Sequence, residues 1–138
     1  MKKISYILCL LTITALISSC SHSNKEVPIG QWGDIIKLST KNVEFDANAN
    51  SVTITTEGDW WWVTGVTVND ERFEVSDNIN VESDHYIIQQ DCFTVERKDK
   101  NTLYIEIDEN PSNAERIIVV GLEAGDYFDG VKITQSSN

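Results

Sequence analysis

The chain is poor in histidine and cysteine, two residue types on which many catalytic and metal sites depend. It holds two histidines, His22 and His85, and three cysteines, Cys9, Cys20 and Cys92. A nucleophilic cysteine needs a base such as histidine beside it, and a zinc site needs a cluster of these ligands. The sequence contains no nucleophile elbow, phosphate-binding loop or CxxC motif. We therefore predict that the protein is not an enzyme and has no cofactor and no bound metal.

Basic residues are also scarce. Lysine and arginine together number 11 against 22 aspartate and glutamate residues, so the formal net charge is −11. Such a surface repels nucleic-acid phosphates, whose neutralisation supplies most of the affinity for nucleic acid. It also discourages docking onto anionic lipid headgroups. The composition argues against a nucleic-acid partner, and any attachment to a membrane must come from something other than a basic patch.

The first residues of the chain read as a secretory signal. Lys2 and Lys3 supply a positively charged start, and residues 4–17 form an apolar segment. This segment is shorter than the roughly 20 apolar residues that a membrane-spanning helix needs. A signal that is removed after export is therefore favoured over a membrane-spanning anchor.

The cleavage region, Leu16-Ile-Ser-Ser-Cys20, resembles the lipobox of bacterial lipoproteins, in which an aliphatic residue and two small residues precede a cysteine. The resemblance implies that residues 1–19 are a lipoprotein signal peptide and that Cys20 carries lipid. Each buried methylene contributes about 0.8 kcal/mol, so two or three acyl chains anchor a protein stably. We therefore expect a lipid-anchored protein of the cell envelope, at the outer membrane. An ordinary signal peptide with a chance cysteine is the alternative.

A polar tether is expected to follow the lipid. Residues 20–34 are mostly polar and include a proline and two glycines, a composition typical of a flexible link. Removal of the signal takes away two lysines and no acidic residue, which leaves 119 residues with a net charge of −13. Only Lys25-Glu26 hints at the acidic export signal of some surface lipoproteins, so display on the cell surface stays an open alternative.

From residue 35 onward the apolar residues recur with a period of two, and no stretch of ten residues carries a helical stripe. The clearest strand is Leu103-Tyr-Ile-Glu-Ile107. Ile117-Ile-Val-Val120 is continuously apolar, as a strand covered on both faces would be. Short strands at about 8–12-residue spacing predict an all-β, immunoglobulin-like β-sandwich of about seven or eight antiparallel strands in residues 35–138. It has no disulfide, because Cys92 is its single cysteine. Other predicted strands contain Ile36 and Leu38, Val43 and Phe45, Val52 and Ile54, residues 60–68, Phe73 and Val75, residues 86–88, Phe93 and Val95, and Val131 and Ile133.

The order of these segments resembles the BACON domain, a carbohydrate-binding-associated, often amino-terminal module of Bacteroidetes. The resemblance covers roughly residues 35–136 and implies an immunoglobulin-like sandwich. It implies carbohydrate binding only weakly, since the module was named from its company in multidomain glycan enzymes and many members serve as spacers. The chain departs from the family at Cys92-Phe93, where many members place a second tryptophan. The matching segments are Val43-Glu-Phe45, Val52-Thr-Ile-Thr-Thr56, a Trp-x-Val step at Trp61 and Val63, Leu103-Tyr-Ile-Glu-Ile107, Glu109-Asn110, Arg116, and Val131-Lys-Ile-Thr-Gln135.

Trp60-Trp61-Trp62 is the most unusual feature of the sequence. Because side chains alternate along a strand, Trp60 and Trp62 share one face and Trp61 takes the other. The family's Trp-x-Val step places Trp61 and Val63 inward. Exposed flat aromatic faces are suited to stacking on sugars, so Trp60 and Trp62 are candidate ligand-binding residues. The alternative is packing in the core and under a loop or under Trp32 of the tether.

Tyr127 and Phe128 form a second aromatic pair beside a predicted turn. If they lie next to Trp60 and Trp62 they extend a binding platform, and packing across the hairpin is the alternative. We therefore expect a non-catalytic module whose partner is a glycan or an envelope protein. The alternative function is a structural spacer with no ligand of its own.

Asp46-x-Asn48-x-Asn50, with Glu57 further on, echoes the calcium loop of an EF-hand. Ser51 stands where that loop requires glycine, and the residues that follow read as a strand rather than a helix. The context of the motif is missing, so we expect no metal there.

Asn110, Arg116 and Gln135 match the family pattern and are expected to be structural. Asn110 suits a turn, where its amide can bond local backbone. Arg116 is expected to fix that turn through carbonyls or a carboxylate, and Gln135 to satisfy backbone groups at the end of a sheet. Cys92 is expected to be a small residue within a strand pair.

Overall fold

The computed structural model describes residues 33–138, so the signal peptide, Cys20 and Trp32 lie outside the described residues. No helix occurs in this range, and hence none that is long and apolar enough to cross a membrane. The predicted all-β class is confirmed. The nine strands are β1 (Asn42–Phe45), β2 (Asn50–Thr55), β3 (Trp62–Val68), β4 (Glu71–Glu74), β5 (Tyr86–Gln90), β6 (Phe93–Asp99), β7 (Thr102–Ile107), β8 (Arg116–Ala124) and β9 (Tyr127–Gln135).

The strands form a two-layered sandwich. One sheet has the order β1-β9-β8-β3-β4 and the other the order β2-β7-β6-β5. In an immunoglobulin domain β3, β8 and β9 would be strands C, F and G, and β2, β7 and β6 would be B, E and D. The predicted immunoglobulin-like sandwich is confirmed, with nine strands rather than seven or eight. One pair is not antiparallel, because the short edge strand β1 runs parallel to β9.

Alternating side chains from the two sheets make the core. In β7, Leu103, Ile105 and Ile107 are fully buried, as the alternation predicts. Trp61 and Phe93 are the largest of the fully buried side chains. The described residues contain no disulfide, and Cys92 is a free thiol. Apolar burial of this kind, at about 25 cal/mol per Å², is therefore the main stabilising contribution.

The outer face of β8 differs from the sequence prediction. Ile118 and Val120 are fully buried, but Ile117 is 36% and Val119 38% exposed. The continuously apolar run therefore does not mark a strand covered on both faces. It marks the central strand of a sheet whose second face carries apolar side chains at its surface.

The predicted strand at Ile36 and Leu38 does not form. Lys37 has a φ of 53°, in the left-handed region, and this residue interrupts the extended backbone. Ile36 is buried in the core, while Leu38 makes only an isolated bridge to Thr56. The two apolar residues therefore flank a turn at Lys37 that the buried Ile36 anchors to the core, and they do not mark a strand.

Candidate functional site

The three consecutive tryptophans split between the core and the surface. Trp61 is 1% exposed, whereas Trp60 is 67% exposed and Trp62 is half-buried. The rings of Trp60 and Trp62 lie edge to face, with 5.5 Å between their centroids. Val63 is also buried, so the expected inward position of Trp61 and Val63 is confirmed.

Trp61 is held in place by polar as well as apolar contacts. Its indole N–H donates to the Thr56 hydroxyl oxygen over 3.0 Å, and that hydroxyl donates to the Gly58 carbonyl over 2.6 Å. On the ring face, the Arg97 guanidinium lies 4.4 Å from the centroid, a distance at which a cation is attracted to the ring. The fixed central tryptophan sets where its two neighbours emerge.

Trp60 rests against the turn that joins β8 to β9. Gly125 in that turn has a φ of 61°, and a Cβ there would come within 3.3 Å of the Trp60 ring. Glycine is therefore needed both for the left-handed backbone and to leave room for the ring. The turn supports one side of Trp60 and leaves the other side in solvent.

Trp62 and Phe128 lie in one row across the outer face of the five-stranded sheet. Trp62 on β3 is opposite Glu123 on β8, and Glu123 is opposite Phe128 on β9. Residues directly opposite one another project from the same face, and two strand spacings separate the two aromatics by about 10 Å. Phe128 is 66% exposed. Together, Trp60, Trp62 and Phe128 form what we call the aromatic platform.

Tyr127 lies on the other face of β9, away from the platform. It packs against the core, and its hydroxyl donates to an Asp129 carboxylate oxygen over 3.1 Å. Burial and this carboxylate raise the pKa of Tyr127 to about 12. Lys41 Nζ is 2.6 Å from Asp129 and 3.0 Å from Asp34. The structure therefore brings together three of the four predicted binding residues and assigns Tyr127 to a polar cluster at the sheet edge.

Two clefts adjoin the aromatic platform, and Trp62 lines both. The first has a volume of about 460 Å³, and the second, which Trp60 also lines, about 350 Å³. Much of the lining comes from the loop between β4 and β5, which sequence reasoning missed because its mixture of small, acidic and apolar residues has no periodicity. The first is lined by Trp62, Val63, Thr64, Glu74, Val75, Ser76, Asp77, Ile79, Val81 and Glu123, and the second by Trp60, Trp61, Trp62, Glu82 and Arg97.

Arg97 ties this loop to the tryptophans. It is only 3% exposed, and its guanidinium donates to the Ser83 carbonyl over 3.1 Å and to the Asp59 carbonyl over 2.8 Å. Its Nε is buried without a hydrogen-bond partner. Arg97 is thus a positioning residue that holds the loop and the segment before Trp60 against one another.

The calcium-like pattern at Asp46 forms a local turn. The Asp46 carboxylate accepts from the Asn50 amide over 2.7 Å and from the Asn48 amide over 3.2 Å, and these bonds lower the pKa of Asp46. Glu57 instead binds Lys37, with 2.5 Å between Oε2 and Nζ. In residues 33–138 no group of three or more histidine, cysteine or acidic side chains is arranged to hold a metal ion.

Asn110, Arg116 and Gln135 form a buried structural cluster, as the sequence predicts. The Gln135 side-chain oxygen accepts from Arg116 Nε over 2.9 Å and from Nη2 over 2.6 Å, while its amide donates to the Asn48 carbonyl over 2.9 Å. Arg116 also donates to the carbonyl of Asp108. Asn110 donates to the Ala114 carbonyl over 2.8 Å. These bonds close the end of the sandwich opposite the aromatic platform.

Cys92 and His85 lie at opposite ends of the β5–β6 hairpin. The imidazole Nδ1 of His85 lies 3.1 Å from the Arg97 carbonyl oxygen. Partial burial raises the pKa of the Cys92 thiol, which disfavours the nucleophilic thiolate. The two side chains do not form a nucleophile and base pair.

No family model and no curated protein matches the chain. Among solved structures, an NMR structure of a protein from Bacteroides thetaiotaomicron is similar, with a TM-score of 0.63 and 21% identity over 79% of this chain and 92% of that one. At this identity the similarity shows the β-sandwich fold alone. Two further solved structures match with lower TM-scores. The CsuC–CsuE pilus chaperone–adhesin complex of Acinetobacter baumannii has a TM-score of 0.39, with 10% identity over 75% of this chain and 57% of that one. WR4, an MSP family member of C. elegans, has a TM-score of 0.35, with 13% identity over 77% of this chain and 100% of that one.

Proposed function

We propose that the protein is a non-catalytic lipoprotein of the cell envelope whose sandwich domain binds glycan through the aromatic platform. The observation that carries the proposal is the exposure of Trp60 and Phe128, at 67% and 66%, beside a half-buried Trp62. Large aromatic side chains at the surface of a soluble domain, grouped and rimmed by polar residues, mark a binding site. Three such rings within one end of a sheet exceed what the fold needs for stability.

A sugar is the ligand that this mixture of groups suits. The apolar face of a pyranose ring packs on an indole or phenyl face. Its hydroxyls need acceptors and donors at the rim, and Glu123 stands between Trp62 and Phe128 in the same row. Thr64 adds a hydroxyl to the lining of the adjoining cleft.

The resemblance to BACON domains supports the same proposal. Three of the matching segments lie within strands β1, β7 and β9, namely Val43–Phe45, Leu103–Ile107 and Val131–Gln135. The Trp-x-Val step corresponds to the inward-facing pair Trp61 and Val63. We propose membership of that family on these correspondences. Carbohydrate binding in this chain rests on the platform rather than on the family name.

The proposed location is the outer membrane, with lipid on Cys20 as the anchor. A mature charge of −13 gives no electrostatic attraction to anionic lipid, so the acyl chains must supply the affinity. Expression of the full chain with Cys20→Ser should move the protein from the membrane pellet to the soluble fraction. Retention of the variant in the pellet would show that the anchor lies elsewhere.

A glycan array with the mature protein in mild detergent tests the binding proposal. We expect binding to one class of polysaccharide, lost in Trp60→Ala and Trp62→Ala. Ile87→Ala is the matched control, because Ile87 is an exposed apolar residue on the other sheet. Absence of binding by the unmodified protein across plant, fungal and mucin glycans would contradict glycan binding and leave a protein partner or a structural spacer as the function.

An envelope protein is the second candidate partner. Ile117 and Val119 are exposed on the outer face of β8, the same face that carries Trp62 and Phe128. A protein partner would cover both the platform and these two residues, whereas a glycan would not reach Ile117 at the far end of the strand. Loss of partner capture from envelope extracts in Ile117→Ser, with the platform intact, would favour the protein partner.

A further inference from the structure

The Trp62 side chain lines two neighbouring clefts. On one side it faces the cleft lined by Thr64, Glu74 and Glu123, and on the other the cleft that contains Trp60 and Glu82. Its contact with Trp60, at 5.5 Å between centroids, fixes the orientation of the shared ring. A ligand that rests on Trp62 can therefore extend into both clefts without leaving an aromatic surface.

The charges around Trp62 are mostly negative. The first cleft is lined by the carboxylates of Glu74, Asp77 and Glu123, with no lysine or arginine in its lining. Arg72 lies nearby, but its guanidinium binds the carboxylate of Glu74, with 2.5 Å between Nε and Oε1. An acidic group brought into this cleft would be repelled by these carboxylates, because water screens charges only in part near a protein surface.

Arg97 is the single basic side chain that lines the second cleft. It is 3% exposed and donates to the carbonyls of Asp59 and Ser83. One face of its guanidinium covers the Trp61 ring. Nη1 and Nη2 donate to the backbone carbonyls of Ser83, Asp59 and Lys100, and Nε, which has no partner, is buried. This guanidinium therefore does not present two free N–H groups to the carboxylate of an acidic sugar.

We propose that the aromatic platform takes an uncharged glycan chain, which crosses Trp62 with neighbouring sugars in the two clefts, and that it rejects acidic polysaccharides. This inference rests on the proposed function and adds the charge class and the binding mode. The carboxylates accept hydrogen bonds from sugar hydroxyls and repel uronates and sulfates. A single sugar fills one cleft only, so oligosaccharides bind more tightly than their monosaccharides.

The test compares neutral and acidic polysaccharides by native affinity electrophoresis of the mature protein in mild detergent. The neutral probes are glucan, mannan and xylan, and the acidic probes are polygalacturonate, hyaluronan and chondroitin sulfate. We expect retardation by at least one neutral polymer and by none of the acidic ones. Trp62→Ala should weaken the neutral interaction by about tenfold or more, because the ring that serves both clefts is lost.

A variant with fewer carboxylates makes the selectivity falsifiable within the same fold. Asp77→Asn with Glu123→Gln keeps the shape of the first cleft and removes two of its negative charges, while Glu74 keeps its ion pair with Arg72. We expect this double variant to be retarded by acidic polymers that do not retard the unmodified protein. The control is Glu96→Gln with Glu106→Gln, on the outer side of the other sheet, which should not change selectivity.

The outcomes separate this inference from the proposed function. Tighter binding to acidic than to neutral polymers, lost in Trp62→Ala, overturns the charge class and leaves glycan binding intact. Equal affinity for a monosaccharide and its oligosaccharides, measured by calorimetry, overturns the chain-crossing mode. Absence of binding to every polymer overturns both the inference and the proposed function.

Discussion

The guanidinium of Arg97 lies 4.4 Å from the centroid of the buried Trp61 ring, and the same guanidinium donates to the carbonyls of Asp59 and Ser83. Arg97 thus contacts the core residue Trp61, the segment that precedes it, and the loop between β4 and β5 that lines the clefts. The exposed Trp60 and Trp62 flank Trp61 directly. Their position is set by contacts made in the interior.

The three tryptophans should differ sharply in their contribution to stability. Trp61→Ala removes the largest fully buried side chain and leaves a cavity, so we expect the free energy of unfolding to fall by about 3–5 kcal/mol. Trp60→Ala removes a mostly exposed ring and should cost less than about 1 kcal/mol. Urea unfolding of the mature protein measures both. Similar losses in the two variants would contradict the assignment of Trp61 to the core.

Arg97→Lys should loosen the loop between β4 and β5. Lysine keeps the charge but cannot reach two carbonyls with one planar fork, and each carbonyl left unsatisfied costs about 1–3 kcal/mol. Hydrogen exchange should become faster in residues 76–85, with little change in β7. Lys98→Ala is the control, because Lys98 is exposed and lies over Tyr104 on the outer face. Unchanged exchange in the loop would show that Arg97 does not position it.

Gln135→Leu should destabilise the opposite end of the sandwich. It leaves the buried Arg116 guanidinium without the oxygen that accepts two of its N–H groups, and a hydrogen bond to a charged group contributes about 1.5–3 kcal/mol. Ser136→Ala, one residue on and exposed, should change stability by less than about 0.5 kcal/mol. Thermal and urea unfolding are the measurements. A loss below 1 kcal/mol in Gln135→Leu, on the scale of an ordinary neutral hydrogen bond, would contradict the proposed role.

Tyr127 should make stability pH-dependent at alkaline pH. Its pKa is raised to about 12 by burial and by Asp129, above the ordinary value of about 10. A group with a raised pKa in the folded state contributes fully below its unfolded pKa, and the contribution is lost as the pH rises through the folded value. The stability difference between the unmodified protein and Tyr127→Phe should therefore shrink from about pH 10 to about pH 12. A difference that stays constant over this range would contradict the shift.

The sequence predicts the strands correctly where one face of a strand is buried and the other is polar. The alternation at Leu103, Ile105 and Ile107 predicts β7 because polar residues occupy the solvent side. The same reasoning fails at β8, since Ile117 and Val119 are apolar yet exposed. Composition cannot distinguish a face covered by protein in the fold from a face left at the surface.

Only part of the candidate site could be predicted from the sequence. Alternation predicts that Trp60 and Trp62 lie opposite to Trp61, and this local inference holds. The same alternation places Tyr127 and Phe128 on opposite faces of β9. Which of the two shares a face with Trp62 depends on the register of β9 with β8, which brings Phe128 into one row with Trp62 through Glu123. Such register is a long-range property of the sheet. The loop that lines the clefts has no pattern that a single sequence reveals.

Solute quenching of tryptophan fluorescence tests the central claim most directly. In a Trp32→Phe background the mature protein keeps Trp60, Trp61 and Trp62 as its tryptophans, of which Trp61 is already shielded. Addition of the neutral polysaccharide that retards the protein should reduce quenching by acrylamide, because the ligand covers Trp60 and Trp62. Unchanged quenching at saturating polysaccharide would place the sugar elsewhere and contradict the aromatic platform as the binding site.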